Sequence, residues 1–448
     1  MTYLKSCLMS DGLELNKVYI GSSLDVLKTF PDESIDMCIT SPPYWGLRDY
    51  GTASWEGGDS ECNHKEKELR NDTAKIWPSM EKTDGFQYKS VCGRCGAIRI
   101  DEQIGLEETP EEFINNLCDI FDEVKRVLKS HGSCWVNLGD SYHRGTRNSV
   151  PEQKGIKTTK YQYNFNHKKK YGHVYKPKSL IQIPSKFSIE MTNRGWILRN
   201  EIIWYKPTCM PTSVTDRYTV DFEKMFFFTK EPKYYFKQQL EPSVSTPHAP
   251  GNKFHEDKVS GPNSRGGKSQ WDDTSRVWGS EDPNMRNKRT VWSINPASFK
   301  GAHFATYPPK LIESPIDATC PRFVDKVTKK PREIVIEKKS MERHELPKDS
   351  PNYRPERYEG KYEQGQRYAT YDDKGYKDGR DDDEFVPGIV LDPFFGSGTT
   401  AEVAMEQDKD WVGIELNPEY EKISQKRLKP TIVKKKTRDK ASQFWDVR

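Results

Sequence analysis

The sequence predicts an α/β fold built on a mostly parallel sheet, and three observations carry that prediction. Short apolar runs of strand character alternate with segments of helical spacing. Two of the apolar runs end in loops of unusual chemistry, Thr40-Ser41-Pro42-Pro43-Tyr44-Trp45 and Asp392-Pro393-Phe394-Phe395-Gly396-Ser397-Gly398-Thr399-Thr400. Polar insertions separate the globular stretches, so the polar average hides a packed core.

The elements follow in order. NKVYI reads as a strand, SLDVLKTF as a helix, PDES as a turn and IDMCIT as a buried strand. EETPEEFINNLCDIFDEVKRVLK reads as an amphipathic helix with Thr109 as N-cap, Pro110 as its first residue and Glu112 closing a capping box. HGS is expected to turn the chain into the strand CWVNLGD. IPSKFSIEMTNRG is a third helix, and WILRNEIIWY and FEKMFFFTK are further strands. Near the C-terminus GIVLD is a strand, FFGSGTTAEVAMEQ a loop entering a helix, WVGIEL a strand and NPEYEKISQKRLK the last helix.

Composition narrows the class. The 448 residues are 34% hydrophobic and 31% charged, yet 11 Trp, 22 Tyr and 19 Phe suffice for a sizeable core. Lys+Arg numbers 71 against Asp+Glu 67, so a net charge of +4 announces no nucleic-acid partner, and any basic face must be local. No apolar run reaches the ~18 residues of a membrane span. The N-terminal residues lack the apolar core of a signal peptide. Nine cysteines, mostly scattered singly, argue against a disulfide framework.

Glycines at a strand-to-helix turn let backbone N–H groups approach a ligand, with a helix N-terminus behind them. Glu415, at the end of the next strand, can accept hydrogen bonds from both ribose hydroxyls of a nucleoside cofactor. No Gly-Lys-Ser/Thr is present to cradle phosphates. In the other loop, consecutive prolines fix the backbone, so the Ser41 hydroxyl and Pro42 carbonyl can aim at one place. Tyr44 can stack on a planar ring. Acceptors beside a stacking face suit the exocyclic amino group of a flipped nucleobase.

Cys62, His64, Cys92 and Cys95 supply four ligands suited to tetrahedral zinc, the Cys-Gly-Arg-Cys-Gly knuckle being the stronger half. Arg144, Arg147, Lys168, Lys169, Lys170, Lys176 and Lys178 lie among Tyr161, Tyr163, Tyr171 and Tyr175, a composition that suits phosphate neutralisation and stacking, though such a run is as readily a solvated face.

The two loops resemble the Ser/Asp-Pro-Pro-Tyr and Asp-Pro-Phe-x-Gly-Ser-Gly-Thr motifs of S-adenosylmethionine-dependent DNA amino-methyltransferases. Their order resembles the permuted β class, an N4-cytosine/N6-adenine family of bacteria and phages. TSPPYWGLRDYG, QIGLEETPEEF, WVNLGDSY, WYKPTCMPTSVTDR, GAHFATYPPKLIE, VLDPFFGSGTT and GIELNPEY all resemble stretches of that family and cover about half of the chain.

The resemblance implies a Rossmann-like class I methyltransferase sheet, circularly permuted, with a small zinc-binding insertion and a target-recognition insertion. Strand order would be 3-2-1-4-5-7-6, with VYI, WVGIEL, GIVLD, IDMCIT, CWVNLGD, FEKMFFF and WILRNEIIWY in those places. Residues 14–51 and 101–143 would form the catalytic half of the core, 179–240 the rest of its sheet, and 301–324 with 385–430 the cofactor half. Residues 52–100 would be the zinc insertion, 144–178 a basic DNA-contacting insertion, 241–300 the target-recognition insertion, 325–384 a charged insertion of solvated or disordered composition, and 431–448 a basic tail.

The resemblance further implies catalytic roles for Ser41, Pro42, Pro43 and Tyr44, with Trp45 as a pocket wall. S-adenosylmethionine would be held by Asp392, Pro393, Phe394, Gly396, Ser397, Gly398, Thr399 and Glu415, and its methionine end covered by Phe304, Ala305, Thr306 and Tyr307. Gly21-Ser22-Ser23 stands where many relatives carry Gly-Asp, which leaves Asp25 as the nearby acid. Asp140 is either a pocket residue or a turn cap. Asp325 and Thr328 stand where some relatives carry a second pair of cysteines, which argues against a second zinc. Ser-Pro-Pro-Tyr leans towards cytosine N4 as the target, with adenine N6 the alternative. RNA or protein amide methylation fits the order of motifs less well, and a catalytically inactive zinc-dependent DNA-binding protein would not need both motifs intact. The implied partner is double-stranded DNA in the cytoplasm of a bacterial cell or phage-infected host, with room for a cognate restriction endonuclease that forms no stable complex; the oligomeric state stays open.

Overall fold

A computed structural model describes residues 12–46, 54–59, 61–62, 92, 94–100, 103–107, 109–143, 175–242, 285–297, 307–332, 334–338, 342–345, 365–368, 371–376 and 384–445. In chain order, the elements of the larger sheet and its helices are β1 (Lys17–Ile20), α1 (Ser23–Lys28), β2 (Ile35–Thr40), α2 (Pro110–Val127), β3 (Leu128–Leu138), α3 (Ile183–Asn193), β4 (Ile197–Tyr205), β5 (Phe222–Thr229), β6 (Val291–Ser293), α4 (Pro309–Thr319), β7 (Ile389–Asp392), α5 (Thr399–Glu406), β8 (Asp410–Glu415) and α6 (Pro418–Trp445).

The eight strands lie in the order β1-β8-β7-β2-β3-β5-β4-β6. The first seven reproduce the order 3-2-1-4-5-7-6. All neighbours are parallel except that β5 is antiparallel to both β3 and β4. The edge strand β6 is an addition that its three-residue length hid in the sequence.

Both faces of the sheet are covered, which is why its strands read as nearly continuous apolar runs. Side chains alternate between two cores. Cys38, Cys134, Val136, Phe226, Phe228, Leu391, Val412 and Ile414 face α1, α2 and α3. Met37, Ile39, Trp135, Met225, Phe227, Val390 and Trp411 face α4, α5 and α6. The N-cap reading holds: Thr109 Oγ1 accepts from the backbone N–H of Glu112 at 2.9 Å.

Two expectations differ. The HGS turn is absent; β3 starts at Leu128 as α2 ends, and its pairing with β2 is interrupted between Ile35↔Leu128 and Met37↔Ser133. The irregularity brings Lys129 and His131 onto buried Asp36, with Lys129 Nζ 2.9 and 2.8 Å from the two carboxylate oxygens and His131 Nε2 at 2.8 Å. The last helix continues through Pro430 into the expected tail, to Trp445. Thr431 is buried and Ile432 packs on the second core, so apolar contact offsets the proline.

The chain divides into two compact units, and residues 236–290 and 323–386 form the smaller one. The segments read from sequence as separate insertions thus share a unit. Its described parts include antiparallel ribbons pairing Ile334–Lys338 with Tyr371–Tyr376 and Glu342–Glu345 with Gly365–Tyr368, strands within the stretch read as solvated or disordered. Among the described residues, no helix is long and apolar enough to cross a membrane.

Candidate active site

The sheet order sets β7 against β2, so the two special loops leave adjacent strands at the same end of the sheet. This is the switch point at which α/β sheets bind ligands. Asp392, the last residue of β7, is 2% exposed. Its Oδ1 accepts from Thr40 Oγ1 at 2.6 Å and from the N–H of Phe394 at 3.1 Å. Its Oδ2 accepts from Thr400 Oγ1 at 2.5 Å and Tyr307 OH at 3.2 Å. Burial pushes the carboxyl up, and these donors pull it back. Asp392 therefore braces the glycine loop against the residue preceding Ser41.

In the glycine loop, Gly396 (φ +52°) and Gly398 (φ +85°) adopt left-handed conformations, and Gly398 is the N-cap of α5. Glu415, closing β8, accepts from the N–H groups of Gly396 at 2.8 Å and Asn417 at 2.9 Å. Burial pushes the Glu415 carboxyl up against those bonds. Phe395 stacks on Trp411 with centroids 5.2 Å apart. An ideal Cβ on Gly413 would lie 2.3 Å from the Phe395 ring, so the strand can carry only glycine there. The Ser397 hydroxyl accepts from Arg427 at 2.8 Å, and Ser23 donates to the carbonyl of Pro393 at 2.6 Å. Asp25 does not line the cavity; it pairs with Lys28 at 3.5 Å.

On the other side, Tyr44 OH donates towards Glu223 Oε2 at 2.7 Å and lies 3.1 Å from Asn137 Oδ1. The Ser41 hydroxyl stands 3.5 Å from both Tyr44 OH and Asn137 Oδ1. Lys206 is ion-paired with Glu223. The Tyr44 ring lies directly over Gly139, where an ideal Cβ would sit 2.5 Å from Cε2. Asp140 does both: it lines the cavity, and its Oδ1 accepts from the N–H groups of Ser141 at 2.8 Å and Ile183 at 3.0 Å, the latter opening α3. Trp45 does not wall the cavity; its indole N–H donates to the carbonyl of Glu107 at 2.9 Å.

One cavity of about 760 Å³ is lined by Ser41, Pro42, Pro43, Tyr44, Tyr307, Asp392, Pro393, Phe394, Gly396, Ser397, Thr399 and Glu415. Gly398 is not on its wall but shapes the turn beside it. Phe304, Ala305 and Thr306 lie outside the described residues, whereas Tyr307 of the same segment lines the cavity. Asn137, Lys206 and Glu223 also line the cavity and were missed. Their signal was present: each is a polar residue in or beside a strand run that is otherwise apolar or aromatic.

The sulfurs of Cys62, Cys92 and Cys95 lie within 4.8 Å of one another, Cys62 and Cys92 at 4.0 Å. Tetrahedral zinc with ~2.3 Å bonds to sulfur sets its ligands about 3.8 Å apart, so the spacing fits a shared ion. The knuckle is closed by Cys92 N–H to Ala97 carbonyl at 2.7 Å and Gly96 N–H to Cys92 carbonyl at 2.9 Å. A ribbon of Ser54–Glu56 with Ile98–Ile100 carries it. His64 lies outside the described residues, as do Arg144, Arg147, Lys168, Lys169, Lys170, Tyr161, Tyr163 and Tyr171 of the basic stretch. At its described end, Lys178 pairs with Asp216 and Tyr175 OH donates to Glu111 at 2.7 Å.

The DNA methylase family of N6/N4 enzymes matches residues 35–336 and 385–426. The type II methyltransferase M.Cfr9I of Citrobacter freundii is 31% identical over 422 residues, 94% of this chain and 90% of that protein. M.SmaI of Serratia marcescens is 28% identical over 426 residues, 95% and 94% of the two chains. Among solved structures, the cytosine-N4-specific PvuII DNA methyltransferase aligns over 94% of this chain and 92% of its own at 15% identity, with a TM-score of 0.42.

Proposed function

This chain belongs to the N6/N4 family of DNA methylases, and from that premise we propose that it methylates the exocyclic amino nitrogen of a base turned out of double-stranded DNA, cytosine N4 being the favoured target and S-adenosylmethionine the donor. One observation supports this above the others: Thr40 donates to Asp392, so the Ser41–Tyr44 and Asp392–Thr399 loops are braced together on the wall of one cavity. The connectivity, with the Ser-Pro-Pro-Tyr strand early and the glycine-loop strand late, reads as the circularly permuted form of the class I sheet.

The cavity suits the cofactor on the chemistry of its donors. Glu415 offers carboxylate oxygens for a ribose, Phe394 and Ile414 apolar surface for a purine, and Gly396 a close backbone approach. When bound, S-adenosylmethionine supplies a methyl group activated by a sulfonium centre. The protein's task is then orientation. The Ser41 hydroxyl and Pro42 carbonyl accept from the amino hydrogens, which favours pyramidal nitrogen and frees its lone pair. Tyr44, held by Glu223 and Asn137, presents its ring to the base. Aligning two reactants in this way is worth roughly 7–11 kcal/mol in favourable systems. Nucleosides from DNA treated with the protein, resolved by mass spectrometry, are expected to contain N4-methylcytosine. N6-methyladenine would transfer the reading to the alternative base, and unmodified DNA would reject it. Ser41→Ala or Tyr44→Ala protein that retained full transfer would remove the proposed roles of those residues.

Cys62, His64, Cys92 and Cys95 hold a structural zinc in this reading, supported by the three converging sulfurs. Metal analysis is expected to find one zinc per chain, lost in Cys92→Ser protein; unchanged zinc content in that variant would reject the site.

A further inference from the structure

We propose that the loop between β4 and β5, residues 206–221, is a wedge that enters the duplex beside the target base, with Met210 and Tyr218 filling the stack the base leaves. The inference rests on the reading that the cavity receives a base turned out of double-stranded DNA. It adds the group that stabilises the opened duplex.

The sheet puts this loop on the rim. β4 is parallel, through β5, to β3, so its end at Tyr205 and the start of β5 at Phe222 both lie at the end of the sheet where Ser41 sits. Lys206, Val220 and Phe222, at the two roots of the loop, line the cavity itself. The roots are tied together by the Lys206 N–H donating to the Asp221 carbonyl at 2.7 Å. Within the loop, Cys209 N–H donates to the Lys206 carbonyl at 3.1 Å and Val214 N–H to Thr212 Oγ1 at 3.3 Å.

Outside it, Thr208 Oγ1 donates to Asn295 Oδ1 at 3.3 Å, Lys178 pairs with Asp216, and the Arg217 guanidinium lies 3.8 Å over the Tyr142 ring. The loop is therefore held in shape from several sides. Even so, Met210 is 87% exposed and Tyr218 96% exposed. Single exposed apolar residues need no explanation. Met210 and Tyr218 are the two most exposed large hydrophobics among the described residues, and both stand on a tethered loop whose roots line the cavity.

A duplex that releases one base loses stacking on both sides of the gap, and that loss opposes release. Apolar side chains driven between base steps replace the contact, and an aromatic ring stacks on any base without regard to sequence. The loop composition agrees with a DNA partner. Thr208, Thr212, Ser213, Thr215 and Thr219 offer hydroxyls to phosphates, and Asp216 is neutralised by Lys178.

The test compares two substrates for the Met210→Ala/Tyr218→Ala protein. One is a paired duplex bearing the site found methylated. The other is the same duplex with an abasic position opposite the target base, where no pair has to open. The expected result is a loss of about tenfold or more in kcat/KM on the paired duplex, with transfer on the unpaired target within about threefold of the unsubstituted protein. The Met210→Leu/Tyr218→Phe protein is expected to restore transfer on the paired duplex. Equal losses on both substrates, or no loss on either, would overturn the wedge. Absence of transfer by the unsubstituted protein on both substrates would instead overturn the function on which the proposal rests.

Discussion

At the residue scale, the orientation of Tyr44 is over-determined. Its hydroxyl is held by Glu223 and Asn137, and its ring rests on a position with no side chain, Gly139. Gly139→Ala would put a methyl group 2.5 Å from the ring, so the ring must leave its place. Methyl transfer is expected to fall at least ~100-fold while S-adenosylmethionine affinity stays near that of the unsubstituted protein, because the displacement is local to the target side. Equilibrium binding and single-turnover rates measure the two. Glu223→Gln keeps the shape but removes the charge that strengthens the Tyr44 hydrogen bond and pairs Lys206. Charge-assisted bonds contribute about 1.5–3 kcal/mol, so kcat is expected to fall roughly ten- to 100-fold. Glu223→Asp, one methylene shorter, is expected to fail as well.

At the element scale, α2 shows how much local chemistry can specify. Thr109 caps it, Pro110 opens it, and nine of its side chains are buried. Its last turn is tied to the preceding layer: Arg126 donates to the carbonyls of Leu27 at 2.7 Å and Phe30 at 2.9 Å, which close α1. Thr109→Ala leaves the Glu112 N–H without its acceptor and is expected to cost about 1 kcal/mol, read as a lower melting temperature with unchanged activity. The following strand shows the limit of local reading. His131-Gly132-Ser133 has turn composition, but Lys129 and His131 are drawn inward by a carboxylate far along the chain, and the strand forms around that contact. A further case is Asp325, which the sequence reading compared with a metal-ligand position. It closes its turn instead by accepting from the N–H groups of Val327 at 2.9 Å and Thr328 at 2.7 Å.

For the whole molecule, Asp36 links three strands at the end of the sheet opposite the cavity. It takes Lys129 and His131 from β3 and the Ile389 N–H of β7 at 2.9 Å. Burial alone pushes the Asp36 carboxyl up, but Lys129 and His131 outweigh it and hold the group below its ordinary range. A lowered carboxyl contributes stability that is complete above its unfolded-state value and is lost as pH falls through the folded-state value. Melting temperature is therefore expected to drop in acid. Asp36→Asn leaves Lys129 buried without its counter-charge and is expected to cost about 3–5 kcal/mol at neutral pH. Its melting temperature should also be less steep in acid; an unchanged slope would show that other carboxylates dominate.

Much of this protein was legible in its residues. Both cavity loops, the cap of α2, Glu415 and the cysteine knuckle follow from short-range patterns, because backbone geometry, capping and ligand spacing are set by neighbours in sequence; the strand order was implied only by the family resemblance. Other features needed tertiary structure because their partners are far apart in the chain. Asp392 on the cavity wall also braces Thr40, Tyr44 is held by Glu223 and Asn137, and Trp45 turns away to Glu107. A buried polar group takes whichever partner the packed sheet brings within 3 Å, and no local pattern encodes that choice.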